Sequence, residues 1–542
     1  MDIKDIFKER IKLYNNIDNE ENHFLNERIQ TKLNLRKQKF NEILNKKRLS
    51  EYISIISKNG NIKWKLLYDI NKEQFTMEKK YKFKFSNEED EEIISLSSEY
   101  LKSENILDIK YSIMLLQIFI NKHMNEEIKK YINLLFIYDF FGLIEKFSTN
   151  KEIIFNILYI ILCYSNISTD NNLYMMLLSP NSYKIWEICF NLQNYEILYE
   201  IVAILNNIIS KNQVGGCNLI RSNFLLNNIY NFYMNQTITS QLNNNNKKDV
   251  MYNIIEDGII LFCKLMIVPM DNLDSFTKEE IYISKQKIIN VILTYYNSDL
   301  YKIYHVCIYC IYIAVQQEKR LFDEIDKINF IENVLKNKKF FEIENIRYFI
   351  NNIIGNYVAY KNKINYSLLV DIINFEKEYI KICNISYYKK EIFWVLSNII
   401  ICDKNIINKI LENNEFLEEI IFCYKNTCSY PEIKEISYFF GNLLINANFK
   451  QFIQVEKYKL MEIVIEHIKK NLENDVEGLS IIFELLEFYL SLGKIMEKYF
   501  NGKNIILEKF NKLGGKELLD KYILIDNKSL NDQIYYILKN YY

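Results

Sequence analysis

The sequence predicts an all-α protein built as one elongated solenoid. Three observations predict it: few helix breakers, apolar residues at helical spacing, and a helix motif that returns every forty-odd residues. Glycine occurs 12 times and proline 3 times in 542 residues, against average usage of about 7% and 5%. So few breakers exclude turn-rich β folds and collagen. With 49% hydrophobic and 15% aromatic residues, the chain has the material for a large core, which excludes disorder over most of its length. A prior of about 150 residues per domain would give three or four globules, and the repeat replaces them with one array.

Met1–Arg10 is charged and lacks the apolar run of a signal peptide. Residues 1–50 carry charge with little core pattern and are expected to be a detachable segment. Within them Arg28, Lys32, Arg36, Lys37, Lys39, Lys46, Lys47 and Arg48 face a single acid, Glu42. Such a stripe reads equally as a nuclear-localisation-like or nucleic-acid-binding patch and as a solvated helix. Residues 51–105 read as a linker, with the acidic run Glu88–Glu92 as a solvated block.

From residue 106 to 500, apolar positions recur at helical spacing in segments of 10 to 18 residues. One helix motif repeats as Leu162-Cys-Tyr-Ser-Asn166-Ile, Ala203-Ile-Leu-Asn-Asn207-Ile, Tyr348-Phe-Ile-Asn-Asn352-Ile, Trp394-Val-Leu-Ser-Asn398-Ile and Tyr438-Phe-Phe-Gly-Asn442-Leu. Adjacent members of this set have their asparagines 41, 46 and 44 residues apart. The helices ending in Lys264 and Tyr312 fall on the same ladder without the asparagine. A period of about 40–47 residues with two or three helices each is that of armadillo and HEAT repeats. One unit cannot bury its own apolar face, so units stack around a continuous core and leave one long groove. The expected architecture is an armadillo-repeat α-solenoid, a right-handed superhelix. Residues 501–542 are expected to cap it with helices at Asn504–Phe510, Lys516–Tyr522 and Leu530–Tyr541, and the stretch Gln241–Lys248 is expected to be a disordered loop.

Enzyme chemistry finds little to stand on. There is no GxxxxGK[ST] loop and no GxGxxG turn after a strand. His23, His123, His305 and His467 are too far apart for a local zinc helix or triad. Cys307 and Cys310 have zinc or redox spacing, but they lie in the apolar run ending at Val315, with no second pair, and are expected to be core residues. The ten cysteines are otherwise scattered, which suggests a reducing compartment. Net charge is −1, so no global field draws the chain to nucleic acid or membrane. No apolar run reaches eighteen residues. The expectation is a non-enzymatic protein with no cofactor, no metal, no direct nucleic-acid partner and no membrane partner.

What remains is the motif itself. An aromatic residue and an asparagine at i and i+4 share one helix face about 6 Å apart. Stacked helices about 8–10 Å apart turn such pairs into a ladder, whose amides can hold an extended peptide main chain while the rings form slots for Lys or Arg stems. Glu391 and Glu435, three residues before Trp394 and Tyr438, are placed to supply carboxylates for the cationic heads. The alternative is that aromatic and asparagine face core and solvent.

These residues resemble the importin-α family. Leu33-Asn-Leu-Arg-Lys-Gln-Lys through Arg48 is similar to its importin-β-binding segment, Trp394-Val-Leu-Ser-Asn398 to its W-x-x-S-N signature, and Gly514-Gly-Lys-Glu-Leu-Leu to its closing segment. The resemblance implies an adaptor that binds lysine-rich nuclear localisation signals in the groove, links them to importin-β, and shuttles between cytoplasm and nucleus. It implies importin-β-binding and autoinhibitory roles for Arg28, Arg36, Lys37, Lys39, Lys46, Lys47 and Arg48. It also implies a minor site at Tyr348, Asn352, Glu391, Trp394, Asn398, Glu435, Tyr438 and Asn442. In the region matching the major site, Asn166 and Asn207 remain, but Leu162, Ala203 and Ile260 stand at tryptophan positions, Lys264 replaces the third asparagine, and Lys211 replaces an acid. Cargo binding is therefore expected in the C-terminal groove. Phe24-Leu-Asn-Glu-Arg28 replaces an arginine-rich stretch, which predicts slower, more salt-sensitive importin-β binding. The alternative is an armadillo scaffold that has lost signal recognition and assembles other proteins.

Overall fold

In the computed structural model the described residues all fall within one compact unit, Glu91–Tyr542. The structure describes residues 94–95, 97–122, 134–167, 173, 176–211, 219–220, 223–234, 248–267, 275–361, 363–383, 385–427, 429–470, 476–497, 502–524 and 527–542. The basic segment with Arg28, Arg36, Lys37, Lys39, Lys46, Lys47 and Arg48, the acidic run, and residues 241–247 lie outside the described residues.

Glu91–Tyr542 is an all-α armadillo-repeat solenoid. Its helices are α1 (Ile106–Lys122), α2 (Leu134–Lys146), α3 (Lys151–Ile167), α4 (Pro180–Asn191), α5 (Tyr195–Lys211), α6 (Asn223–Met234), α7 (Lys248–Met266), α8 (Ser275–Tyr295) and α9 (Tyr301–Gln317). They continue with α10 (Phe322–Asp326), α11 (Phe330–Asn337), α12 (Glu344–Tyr360), α13 (Tyr366–Ile382), α14 (Ser386–Cys402), α15 (Ile406–Leu411), α16 (Asn414–Asn426) and α17 (Tyr430–Asn446). The last six are α18 (Phe449–Glu456), α19 (Leu460–Lys469), α20 (Val476–Met496), α21 (Ile505–Lys512), α22 (Gly515–Tyr522) and α23 (Lys528–Tyr541).

The last helix of each repeat packs on its counterpart in the next, giving the row α1, α3, α5, α7, α9, α12, α14, α17, α20, α23. Burial on several sides explains why these helices are apolar around most of their circumference. In α9 every residue from Val306 to Val315 is buried, including Cys307 and Cys310. Burial holds both thiols well above their ordinary range, so they are inert core residues. Among the described residues no helix is long and apolar enough to cross a membrane.

The polar stretches between helices act as caps. Asn413, Asn504 and Asn527 accept from the backbone N–H three residues on, and Asn448 forms a capping box with Gln451. Each satisfies a donor that a helix N-terminus leaves unpaired. Three of the turns between the first and second helices of a repeat place a left-handed residue just before the second helix: Asn329 (φ 49°), Lys459 (φ 58°) and Gly514 (φ 82°). Glycine adopts that geometry without a Cβ clash. Its neighbour Gly515 has a different role, since a Cβ there would lie 2.3 Å from the Phe510 ring.

The C-terminal capping helices form a repeat of the same three-helix plan, α21–α23. Leu530, Ile534 and Ile537 on α23 are buried, whereas Leu538 and Tyr541 are only half-buried. A polar clamp joins this repeat to the one before it: Lys509 of α21 pairs with Glu456 at the end of α18 and, at 2.9 Å, with Glu462 of α19. Tyr489 of α20 donates to Glu456 Oε2 at 3.1 Å. At the other end, residues 97–101 are helical, and Ser112 donates to the Ser97 carbonyl at 2.7 Å.

Candidate peptide-binding site

The row places the ladder residues in a recurring cross-helix register. Asn207 Nδ2 donates to Ser165 Oγ at 3.2 Å, and Asn442 Nδ2 to Ser397 Oγ at 2.6 Å. In both pairs the amide of one row helix meets the serine immediately before the asparagine of the preceding one, Asn166 or Asn398. Trp394, Asn398, Tyr438 and Asn442 are all half-buried on the neighbouring helices α14 and α17, where two successive aromatic–asparagine pairs of the ladder are partly open to solvent.

The other C-terminal candidates lie inside. Tyr348 and Asn352 on α12 are 3% and 1% exposed, and the Asn352 amide donates to the Tyr348 carbonyl at 3.0 Å, four residues back on its own helix. The serine position on the preceding row helix, α9, is Ile311, which offers Asn352 no hydroxyl. Glu391 and Glu435 are 1% and 7% exposed, and Lys390 Nζ stands 3.6 Å from Glu391. Glu391 already has a cationic neighbour, and burial keeps both carboxylates from direct contact with anything lying on the surface.

Asn398 differs from its neighbours. Its Nδ2 is shielded from solvent and meets no acceptor among the described residues, although the residue as a whole is half-exposed. Turning that amide would break no hydrogen bond of its donor. Beside it the Trp394 indole lies directly over Gly355 of α12, where a Cβ would sit 2.2 Å from Cζ3. Ile401 and Ile445, each three residues beyond its asparagine, are 63% and 53% exposed. Gly355→Ala should gain about 1 kcal/mol of helix propensity and lose a similar amount to crowding, leaving stability nearly unchanged. The half-exposed indole should be the group that moves, seen as a shift in tryptophan fluorescence with an unaltered melting temperature.

In the N-terminal half, lysines add further cross-links. Lys264, at the asparagine position, is 8% exposed, and its ammonium donates to the Asn206 carbonyl at 3.1 Å and to Ser210 Oγ at 2.5 Å. Burial lowers its pKa to about 8, against the opposing pull of Cys263 and Asp257. Lys211 donates to the Ser165 carbonyl at 3.0 Å and to that of Asn166. Leu162, Ala203 and Ile260 are buried. Asn207 is buried and Asn166 half-buried, so this half has no exposed aromatic slot at those positions.

Ser165, Ser397 and Gly355 are not among the residues that the sequence pattern singles out. The serines stand inside the quoted motifs and could have been found as the residue before each asparagine. Gly355 had a weaker signal, one of 12 glycines lying inside a helical pattern. Among the described residues no group of three or more His, Cys, Asp or Glu side chains is placed to hold a metal ion.

No protein-family model matches the chain, and no curated protein matches it. Among solved structures, an engineered protein from a structural-genomics consortium aligns with 83% of this chain and 98% of its own, at 11% identity and a TM-score of 0.57. That likeness concerns the fold alone. A designed armadillo repeat protein, solved in complex with the peptide (KR)4, aligns with 46% of this chain and 98% of its own at 14% identity, with a TM-score of 0.38.

Proposed function

We propose that the protein is a peptide-binding armadillo adaptor of importin-α type, taking an extended, lysine-rich segment such as a nuclear localisation signal across α14 and α17. The observation that carries this reading is the Asn398 amide, a shielded donor with no acceptor among the described residues, one turn from the half-exposed ring of Trp394 on α14 and one row helix from that of Tyr438 on α17. A peptide carbonyl satisfies the amide, and each ring offers its face to an aliphatic stem and its cation. Asn442, bonded to Ser397 through one amide proton, keeps its second proton for the next carbonyl. In the same reading residues 1–50 recruit importin-β, and the protein shuttles between cytoplasm and nucleus with its cargo.

Titration of the full chain with a labelled lysine-rich peptide tests the groove. Trp394→Ala is expected to weaken binding about tenfold, since a packed cation–aromatic slot is worth roughly 1–2 kcal/mol. Unchanged affinity would remove Trp394 from the site. Absence of binding, with or without residues 1–50, would favour a scaffold for other proteins. Importin-β capture that depends on residues 1–50 tests the adaptor role separately.

A further inference from the structure

We propose that Tyr388 is an internal occupant of the groove: its ring fills the aromatic subsite of α12 and confines a bound peptide to the two subsites of α14 and α17. This rests on the peptide-binding reading above and assigns the length of the ligand. Tyr388 lies in the first turn of α14. Its ring stacks on Tyr348 with centroids 4.4 Å apart and planes 26° from parallel. Tyr312 at 6.1 Å and Phe349 at 5.7 Å are farther from Tyr348 and more tilted. The Tyr388 hydroxyl donates to Asn345 Oδ1 at 3.1 Å. Ring and hydroxyl thus tie it to two successive turns of α12, over the surface a ligand cation would need.

The next repeat shows why the covering is local. The residue 44 positions on from Tyr388 is Glu432, whose carboxylate accepts from the Thr427 hydroxyl at 2.9 Å in its own turn. Trp394, the counterpart of Tyr348, remains half-exposed where Tyr348 is 3% exposed. On the far side, Phe488 of α20 lies against Gly441 of α17, 3.5 Å from where a Cβ would stand. In the register of Asn442 on Ser397, that is the place of a following asparagine. The accessible ladder is therefore bounded by Tyr388 and Phe488. Two row helices about 8–10 Å apart, with a chain advancing about 3.3 Å per residue, hold a segment of about five or six residues.

Fluorescence anisotropy on the full chain tests this with a labelled six-residue Lys/Arg peptide and two nine-residue versions, extended by three residues including a lysine at one end or the other. The wild type is expected to bind all three within twofold. Tyr388→Ala, by uncovering Tyr348, is expected to bind one nine-residue peptide about five- to tenfold more tightly than the six-residue peptide, the worth of one further slot. Tyr388→Phe keeps the stacked ring and should behave as wild type. Tyr388→Ser serves as a second opening variant where alanine lowers the folded yield. A fivefold gain from extension in the wild type, or none in either opening variant, overturns the proposal while leaving the groove reading intact. Failure of all three peptides to bind any of these proteins overturns the groove reading itself, and this one with it.

Discussion

Lys264→Met is expected to abolish a rise in stability of about 3 kcal/mol that the wild type shows between pH 8 and 10.5, the equivalent of a pKa lowered from 10.5 to about 8. Below pH 8 the ammonium is charged in both states, and the folded protein bears the full cost of burying it. Between the two values the native lysine has lost its proton while the unfolded one keeps it, so stability climbs with pH. Above 10.5 the cost is gone. Methionine fills similar space without the charge, but it leaves the Asn206 carbonyl and Ser210 hydroxyl without that donor, which costs about 1–3 kcal/mol. The variant should therefore differ little at neutral pH and fall progressively behind the wild type as pH rises. Urea unfolding followed by circular dichroism at several pH values measures the difference, and buried tyrosines, common to both proteins, cancel in it. Parallel curves would mean that Lys264 is not desolvated.

Lys509→Met should loosen the last repeat. Glu456 and Glu462 would then stand together without their shared cation. Breaking a fully buried pair costs about 3–5 kcal/mol, and the partial exposure of all three side chains brings this to about 2–3 kcal/mol. Burial already raises the Glu456 carboxyl above its ordinary range, with Lys509 opposing that rise. Without Lys509 the rise grows, so the loss is full at neutral pH and recedes as acid protonates Glu456. Hydrogen exchange across α21–α23 should increase at pH 7 while α12–α14 keeps its protection. Equal loss of protection in both regions would show that the repeats unfold as one unit.

The periodicity was legible because the asparagines recur 41 to 46 residues apart, and the row helices follow that spacing. The division of each repeat was less legible. Asn329, Lys459 and Gly514 occupy the same left-handed turn with no residue type in common, and α8 and α13 each run as one helix, of 21 and 17 residues, where α10–α11, α15–α16, α18–α19 and α21–α22 come as two. In the site, the positions of Trp394, Asn398, Tyr438 and Asn442 on one helix face follow from i, i+4 spacing. The burial of Tyr348 did not, because it depends on a ring from the next repeat, and a chain with 42 tyrosines gives no reason to single out Tyr388. Glu391 and Glu435 were expected to line the groove from their spacing alone. They are buried because the row helices are packed on several sides, which a single-helix projection does not show.

The cross-helix ties also bear on how the chain acquires its structure. Asn207 to Ser165, Lys211 to Ser165, Asn442 to Ser397 and Lys509 to Glu456 span 42, 46, 45 and 53 residues, a small fraction of 542. Low sequence separation between partners favours rapid, stepwise assembly. During synthesis, each newly emerged segment of about one repeat finds its partner already in place upstream, so the array can be completed in the order in which it is translated.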